Sequence, residues 1–369
     1  MSATEAYLAL ADGQVFPGTS CGRPGIAQGE VVFQTAMTGY QEVLTDPSYT
    51  GQIVTFTMPH IGNVGCNPAD EQSAQICANG LVVRELSAVT TGPRATCSLH
   101  AYLERHGVVG ISGINTRALT HHIRSHGAQG GAIAPSAEAA LAAARRCPSL
   151  QGLDLAGAVS TQAPYSYWEA GFPASQHTGQ RVVVVDFGTK RAILSSLAAC
   201  GWQVVVVPAA SSAAAIMSWQ PDAVVLSNGP GDPAACTYAH RVTAELLASR
   251  MPLLGVCLGH QILALACGGR TSKMAFGHHG INHPVITIET AGVAISSQNH
   301  GFVVEEATLP PSLLVTHRSL FDGTVQGIAH RHTLAWGFQG HPEANPGPDD
   351  LQPLFAAFLR AVAAHRVAA

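Results

Sequence analysis

Charge is scarce in this 369-residue chain: Asp, Glu, Lys and Arg together make up 11%, well under the typical quarter. The 19 basic and 23 acidic side chains leave a net charge of −4, and the isoelectric point lies near 6.5. That balance gives no basic footprint for nucleic acid or an anionic membrane. No apolar run reaches the roughly 18 to 20 residues that span a bilayer. Met1 to Leu10 carries Glu5 and lacks a basic start followed by an apolar core, so it does not read as a signal peptide. The nine cysteines, at 21, 66, 77, 97, 147, 200, 236, 257 and 267, form no Cys-x-x-Cys pair. Their scatter argues against a disulfide framework or a zinc ribbon and for a reducing, cytoplasmic setting. So thin a surface charge is consistent with cover by a partner, and equally with drift toward Ala and Gly.

What the chain does have is length and apolar content. Its size makes two domains the prior, and 47% hydrophobic residues is ordinary for a globular protein. Leu8 to Leu10, Asp12-Gly13 and Gln14 to Phe16 read as a hairpin, because an Asp-Gly pair supplies positive-φ positions. Short β-rich runs follow at Val31 to Phe33 and Gln52 to Met58, and helices at Thr116 to Ser125 and Ala137 to Arg146. This first part, 1–154, is expected to be a smaller α+β domain. From 155 to 180 the pattern lapses into Gly, Pro, Ser and Thr around Tyr165, Tyr167 and Trp168, which reads as a linker. From 181 to 369 nearly continuous apolar runs at Arg181 to Phe187, Gln203 to Pro208, Asp222 to Ser227 and Pro252 to Cys257 alternate with helices at Arg191 to Ala199 and Tyr238 to Ser249. Strands apolar throughout and alternating with helices indicate an open, mostly parallel sheet with flanking helices, an α/β domain whose sites form at the carboxyl ends of strands.

The most informative stretch is Pro252-Leu253-Leu254-Gly255-Val256-Cys257-Leu258-Gly259-His260-Gln261: a strand, Gly-x-Cys-x-Gly, then a helix running to about Cys267. It is a nucleophile elbow with sulfur in place of hydroxyl. Glycines at 255 and 259 allow a sharp turn and a close approach of strand and helix. The turn is expected to leave the sulfur exposed at a helix N-terminus, where the dipole and unpaired amides favour thiolate. The other eight cysteines read as ordinary buried thiols.

A thiolate cannot protonate a leaving group, so a positioned acid and base is needed. Trp336-Gly337-Phe338-Gln339-Gly340-His341-Pro342-Glu343 offers His341, with Glu343 two positions on. In an extended segment both side chains would point to one side, and the carboxylate would hold the imidazole's tautomer. His260 follows the nucleophile by three and is expected to face along the helix. His278-His279, His283 and His300 lack a framework of other ligands, so no metal site is expected. Ser227-Asn228-Gly229-Pro230-Gly231-Asp232-Pro233 closes a strand with a Gly-Pro-Gly loop whose amides suit an oxyanion. A phosphate cradle is the competing reading, but the loop lacks a Lys-Ser/Thr ending and contains Pro230.

Asn-Gly-Pro-Gly, Gly-x-Cys-x-Gly-His-Gln and His-Pro-Glu, in that order, resemble the class I glutamine amidotransferases. Met37 to Tyr49, Pro59-His60-Ile61-Gly62-Asn63 and Gly113-Ile114-Asn115-Thr116-Arg117 resemble the small subunit of carbamoyl-phosphate synthetases. So do Phe276-Gly277-His278-His279-Gly280 and Ser297-Gln298-Asn299-His300-Gly301-Phe302. The resemblance runs almost end to end. It implies Cys257 as nucleophile, His341 as base and Glu343 as its orienter, with Leu258 and Gly229 supplying oxyanion amides and Gly231 nearby. Gln261, Asn299, Gly301 and Phe302 would line a glutamine pocket, with Ser48 contributed by the N-terminal domain. Asn115 stands where the family usually has Asp, and Ala192 where it usually has Asn.

The resemblance further implies that ammonia from glutamine passes to a large synthetase subunit, which makes carbamoyl phosphate from bicarbonate and ATP. ATP and Mg are then expected on that partner and no cofactor on this chain, in a heterodimer or a higher oligomer. The rival readings are a stand-alone γ-glutamyl cysteine hydrolase, a non-catalytic scaffold, and an amidotransferase serving anthranilate or GMP synthesis. The last shares only the C-terminal half.

Overall fold

The computed structural model describes residues 4–167 and 179–368. It divides into two compact units, one of Met1–Leu153 with Ala275–Gly280, the other of Asp154–Met274 with Ile281–Ala369.

The first unit runs β1 (Glu5–Leu10), β2 (Val15–Gly22), β3 (Ala27–Gln34), α1 (Tyr40–Thr45), β4 (Gln52–Phe56), β5 (His60–Ile61), β6 (Gly80–Val82), β7 (Glu85–Leu86), α2 (Leu99–Arg105), β8 (Val109–Ser112), α3 (Thr116–His126), β9 (Gln129–Ala134) and α4 (Ala137–Ala144). Seven of these strands close a barrel in the order β1-β2-β8-β6-β4-β3-β9, while β5 and β7 pair separately. Closure removes the sheet edges that would otherwise invite pairing with other chains. The expected hairpin joins β1 and β2 in register Leu8↔Phe16. Only Gly13 (φ 101°) takes a positive φ there, because the connection is longer than two residues and Leu10 N–H donates to the Gln14 carbonyl at 2.9 Å. One face of the barrel packs Leu8, Val31, Ile53 and Ile111 against Leu119 and Ile123 of α3. Asn115 caps α3, its side-chain oxygen accepting from Ala118 N at 3.0 Å. Asp caps a helix as well as Asn does, so this departure from the family pattern leaves the helix start intact.

The Phe276-Gly277-His278-His279-Gly280 stretch, read from sequence as part of the second domain, belongs instead to the first unit. Phe276 stacks on Phe33 at 5.9 Å, and the His279 carbonyl accepts from Thr35 N at 3.3 Å.

The second unit comprises α5 (Ala156–Val159), β10 (Tyr165–Tyr167), β11 (Arg181–Asp186), α6 (Arg191–Ala199), β12 (Gln203–Pro208), α7 (Ala213–Met217), β13 (Ala223–Leu226), α8 (Thr237–Ala248), β14 (Leu253–Val256), α9 (Leu258–Ala266), β15 (Thr271–Thr287, apart from its residues 275–280), β16 (Val293–Val304), β17 (Leu313–Ser319), β18 (Val325–His330), β19 (Ala335–Phe338) and α10 (Pro353–Ala368). The stretch read as a linker thus holds α5 and the edge strand β10, which pairs antiparallel with β12. Trp168 lies outside the described residues.

One sheet runs β10-β12-β11-β13-β14-β19-β18-β17-β15-β16. Its centre, β12 through β19, is parallel, and antiparallel strands extend it from β18 to β15. The parallel strands are Val- and Leu-rich because helices cover both faces. On one face Val183, Val224 and Leu253 meet Leu246, Ile262 and Leu263. On the other Val184, Val225 and Leu254 meet Ile193, Leu197, Phe355 and Phe358. Truncating such a residue to Ala costs about 2–5 kcal/mol. This rigid slab fixes the chemistry. Adjacent strands β11, β13, β14 and β19 end, in that order, just before Lys190, Gly229, Cys257 and His341.

Candidate active site

Cys257 sits between β14 and α9 at φ 52°, ψ −103°, a conformation that costs a residue with a Cβ about 1–3 kcal/mol. Three hydrogen bonds hold it. Cys257 N donates to Phe338 O at 2.8 Å, Gly259 N to Ser227 O at 3.0 Å, and Gln261 N to Cys257 O at 3.2 Å. The glycines perform the steric job expected of them. A Cβ on Gly255 would lie 2.4 Å from Gly259 O, and one on Gly259 would lie 2.0 Å from Leu226 O.

The sulfur is not exposed as the sequence suggested: Cys257 is only 2% accessible. Neighbouring segments close over it. Sγ lies 3.6 Å from the Asn299 carbonyl of β16, and Gln339 Nε2 donates toward it at 3.7 Å. An elbow exposes its apex only when nothing packs above it, and here β16 does.

His341 follows β19, its amide donating to Ser297 O at 2.9 Å. His341 Nδ1 lies 2.7 Å from Glu343 Oε1. The pair was expected on an extended segment. It lies instead on a turn, in which Ala344 N donates back to His341 O at 3.1 Å and Ala344 takes φ 54°. His341 Nε2 is buried with no hydrogen-bond partner among the described residues. Burial disfavours the imidazolium, but the Glu343 carboxylate and the Cys257 charge outweigh it and raise the His341 pKa to about 10. Burial likewise disfavours the Glu343 carboxylate. Lys190 and then His341 overcome that and hold its pKa at about 2.

Lys190, one of two lysines in the chain, was given no role by the sequence. It is 2% exposed. Its Nζ lies 3.0 Å from Glu343 Oε1 and donates to Ala344 O at 2.6 Å, while its backbone N–H donates to Asn228 Oδ1 at 3.1 Å. One carboxylate oxygen thus serves both the imidazole and the ammonium. The available signal was position, since Lys190 follows the carboxyl end of a buried parallel strand. Burial of its head was not readable.

The remaining predicted residues divide clearly. A Cβ on Gly229 would touch Leu258 Cδ2 at 2.9 Å and Phe187 O at 2.1 Å, so the Gly229 loop lies against the elbow. Leu258 opens α9, where a helix amide has no intrahelical partner. Gly231 turns the same loop at φ 90°. Gln261 Nε2 donates to Phe302 O at 2.7 Å and to Gln339 Oε1 at 3.0 Å, tying α9 to β16 and to the strand end carrying His341. Around Gly301 there is open space: a Cβ there would meet nothing within 4 Å. Ser48 lies in the first unit on a buried 3-10 turn, Pro47–Tyr49, its N–H donating to Asp46 Oδ1 at 2.8 Å. His260 is completely buried, with burial pushing its pKa down to about 4, and it packs against Gly337. Among the described residues no group of three His, Cys, Asp or Glu is placed to hold a metal ion, and no helix is long and apolar enough to cross a membrane.

A buried Cys-His-Glu set on an elbow, beside a Gly-Pro-Gly loop at the carboxyl ends of parallel strands, defines a class I glutamine amidotransferase domain. Residues 183–361 match the model described as glutamine amidotransferase class-I, and residues 8–133 match that of the carbamoyl-phosphate synthase small chain, CPSase domain. The chain is 54% identical to the carbamoyl phosphate synthase small chain of Thioalkalivibrio sulfidiphilus, with 97% of each chain covered. It is 50% identical to that of Escherichia coli K12, with 98% of each covered. The corresponding protein of Xanthomonas campestris is 52% identical, over 97% of this chain and 98% of that one. The chain belongs to the carbamoyl phosphate synthase small-chain family.

Proposed function

We propose that this chain hydrolyses glutamine at Cys257 and delivers the ammonia to a large synthetase subunit, which makes carbamoyl phosphate from bicarbonate and ATP. The observation that carries the chemistry is the buried run Lys190–Glu343–His341 beside the strained Cys257. At neutral pH His341 is an imidazolium, because its pKa is raised to about 10. The Cys257 thiolate attacks the side-chain amide carbon of glutamine. The oxyanion that forms takes hydrogen bonds from the Leu258 and Gly229 amides, an arrangement typically worth about 3 kcal/mol per donor. Nε2–H of His341 then protonates the departing nitrogen, the C–N bond breaks, and a glutamyl thioester remains. Neutral His341 takes a proton from the water that attacks the thioester. Collapse breaks the C–S bond, releases glutamate and restores the ion pair. Glu343 keeps Nδ1 protonated throughout, and Lys190 keeps Glu343 ionised.

ATP and Mg belong to the partner in this scheme, the complex is a heterodimer or a higher assembly of heterodimers, and its setting is the cytoplasm. A stand-alone hydrolase or a scaffold is less well supported. The first leaves the small-chain match over 8–133 without a role, and the second leaves the buried ion pairs unexplained. The test is glutamate release by the chain and its Cys257→Ser variant, with and without a large subunit. Cys257-dependent release that rises when the partner turns over ATP and bicarbonate supports the proposal. Release indifferent to the partner would point to the hydrolase, and no release in any condition to the scaffold.

A further inference from the structure

Outside the active site, two cysteines are paired through their backbones across two loops of the first unit. Cys66 and Cys97 are direct partners in an isolated antiparallel bridge. Cys66 N donates to Cys97 O at 2.9 Å, and Cys97 N donates to Cys66 O at 3.4 Å. Such a hydrogen-bonded pair sets its Cα atoms about 5.5 Å apart, with both side chains on one face. That separation lies within the range disulfides span, roughly 4.4–6.8 Å. The loops that carry the pair are locked together. Thr91 N donates to Asn63 O at 2.9 Å, Thr96 N to Cys66 O at 2.9 Å, and Thr96 Oγ1 to Cys66 O at 3.1 Å. Close packing adds to this: a Cβ on Gly65 would meet Ala95 Cβ and Thr90 Cγ2 at 2.5 Å, and one on Gly92 would lie 2.0 Å from Val64 O. Both cysteines are free thiols here, Cys66 buried and Cys97 partly accessible.

We propose that Cys66 and Cys97 form a reversible disulfide under peroxide, making the loop pair of the first unit an oxidation-sensitive crosslink independent of Cys257. Access orders the steps. Burial, followed by the nearby Cys97 charge, pushes the Cys66 thiol up to about 12, so Cys97 reacts first. The Cys97 thiolate attacks hydrogen peroxide: an S–O bond forms, the O–O bond breaks, and hydroxide leaves and is protonated to water. The Cys66 sulfur then attacks the Cys97 sulfenic acid. The S–S bond forms, the S–O bond breaks, and the departing hydroxide takes the Cys66 proton as a second water. Two thiols lose two electrons and one peroxide accepts them. Disulfides in cytosolic proteins are usually of this transient, redox-sensing kind.

The test treats the full chain with hydrogen peroxide, blocks remaining thiols with N-ethylmaleimide, and maps peptides by mass with and without dithiothreitol. The expected result is one crosslinked peptide pair joining Cys66 to Cys97, lighter by two hydrogens, restored to two thiols by dithiothreitol, and absent from Cys97→Ser. Closing a loop of roughly 30 residues should also raise the first unit's melting midpoint by about 5–10 °C in the wild type. In Cys97→Ser the same oxidation should leave that midpoint unmoved. A partly accessible serine keeps the variant folded, and its reduced midpoint checks this. Recovery of both cysteines as alkylated thiols after Cys257 has been oxidised would overturn the proposal. So would Cys97 as an irreversible sulfinate, or a crosslink between any other pair.

Discussion

Removing the Lys190 ammonium while keeping its bulk, as in Lys190→Met, would strip Glu343 of the nearest charge that keeps it ionised. The Glu343 pKa near 2, against an ordinary 4.5, corresponds to a preference for the carboxylate of about 3 kcal/mol. Lys190 supplies the largest favourable part of it. Breaking one side of a buried pair typically costs about 3–5 kcal/mol, because the remaining charge is stranded. Here His341 still pairs with the same oxygen at 2.7 Å, which holds the expected loss to about 2–4 kcal/mol. The Ala344 carbonyl loses its 2.6 Å donor as well, so the turn that carries His341 loosens. The variant should therefore unfold earlier in urea and lose glutaminase kcat by roughly 10- to 100-fold, the usual effect of removing a group that orients a reactive one. Its acid limb should also shift upward in pH, since Glu343 now protonates more easily. Urea titrations from pH 3 to 8, run beside glutamate release, measure all three. Wild-type stability together with a wild-type kcat would refute the assignment of Lys190 to positioning Glu343.

Gly259→Ala places a Cβ 2.0 Å from a backbone oxygen and should cost more than about 3 kcal/mol, whereas Gly301→Ala meets nothing and should melt normally while raising KM for glutamine. The reverse pattern in melts and kinetics would contradict the placement of both. Stability should also vary with pH in a definite way. His341, with a folded pKa raised to about 10, contributes fully below its unfolded value near 6.5, and the contribution is lost as pH rises through 10. Glu343, held at about 2, contributes fully above 4.5, and the contribution is lost as pH falls toward 2. Melts across pH should plateau near pH 4.5–6.5, and His341→Asn should flatten the alkaline decline; an unchanged alkaline limb in that variant would count against the shift. Ser48 is assigned to glutamine on family resemblance, so Ser48→Ala should raise KM with little change in melting, and an unchanged KM would remove it from the scheme.

The elbow was legible in sequence because its constraint is local. Glycines two positions either side of Cys257 have a steric meaning on a strand-to-helix turn, whatever surrounds them. The same holds for the apolar runs that became β11 to β14, whose continuity reflects helices on both faces. What the sequence hid depends on segments distant in the chain. Burial of the Cys257 sulfur is decided by β16, some forty residues on. The role of Lys190 is decided by Glu343, which folds back onto it from the far end of the domain. The His341–Glu343 contact was foreseen, but its turn geometry was not, because two-residue spacing suits an extended strand as well as a bend. The Ala275–Gly280 excursion into the first unit left no mark in composition. It interrupts a β-rich stretch without changing its pattern, and its packing on Phe33 and its hydrogen bonds to Thr35 and Ala128 reveal where it belongs.

The most direct test of the central claim is to trap the covalent intermediate. The chain is mixed with isotopically labelled glutamine, quenched in acid within the first turnover, digested, and its peptides are read by mass spectrometry. A labelled glutamyl group on the Cys257 peptide, released by hydroxylamine and absent from Cys257→Ser, is the predicted result. Glutamate release from the same sample with no label on Cys257, or with label on another residue, would contradict the account.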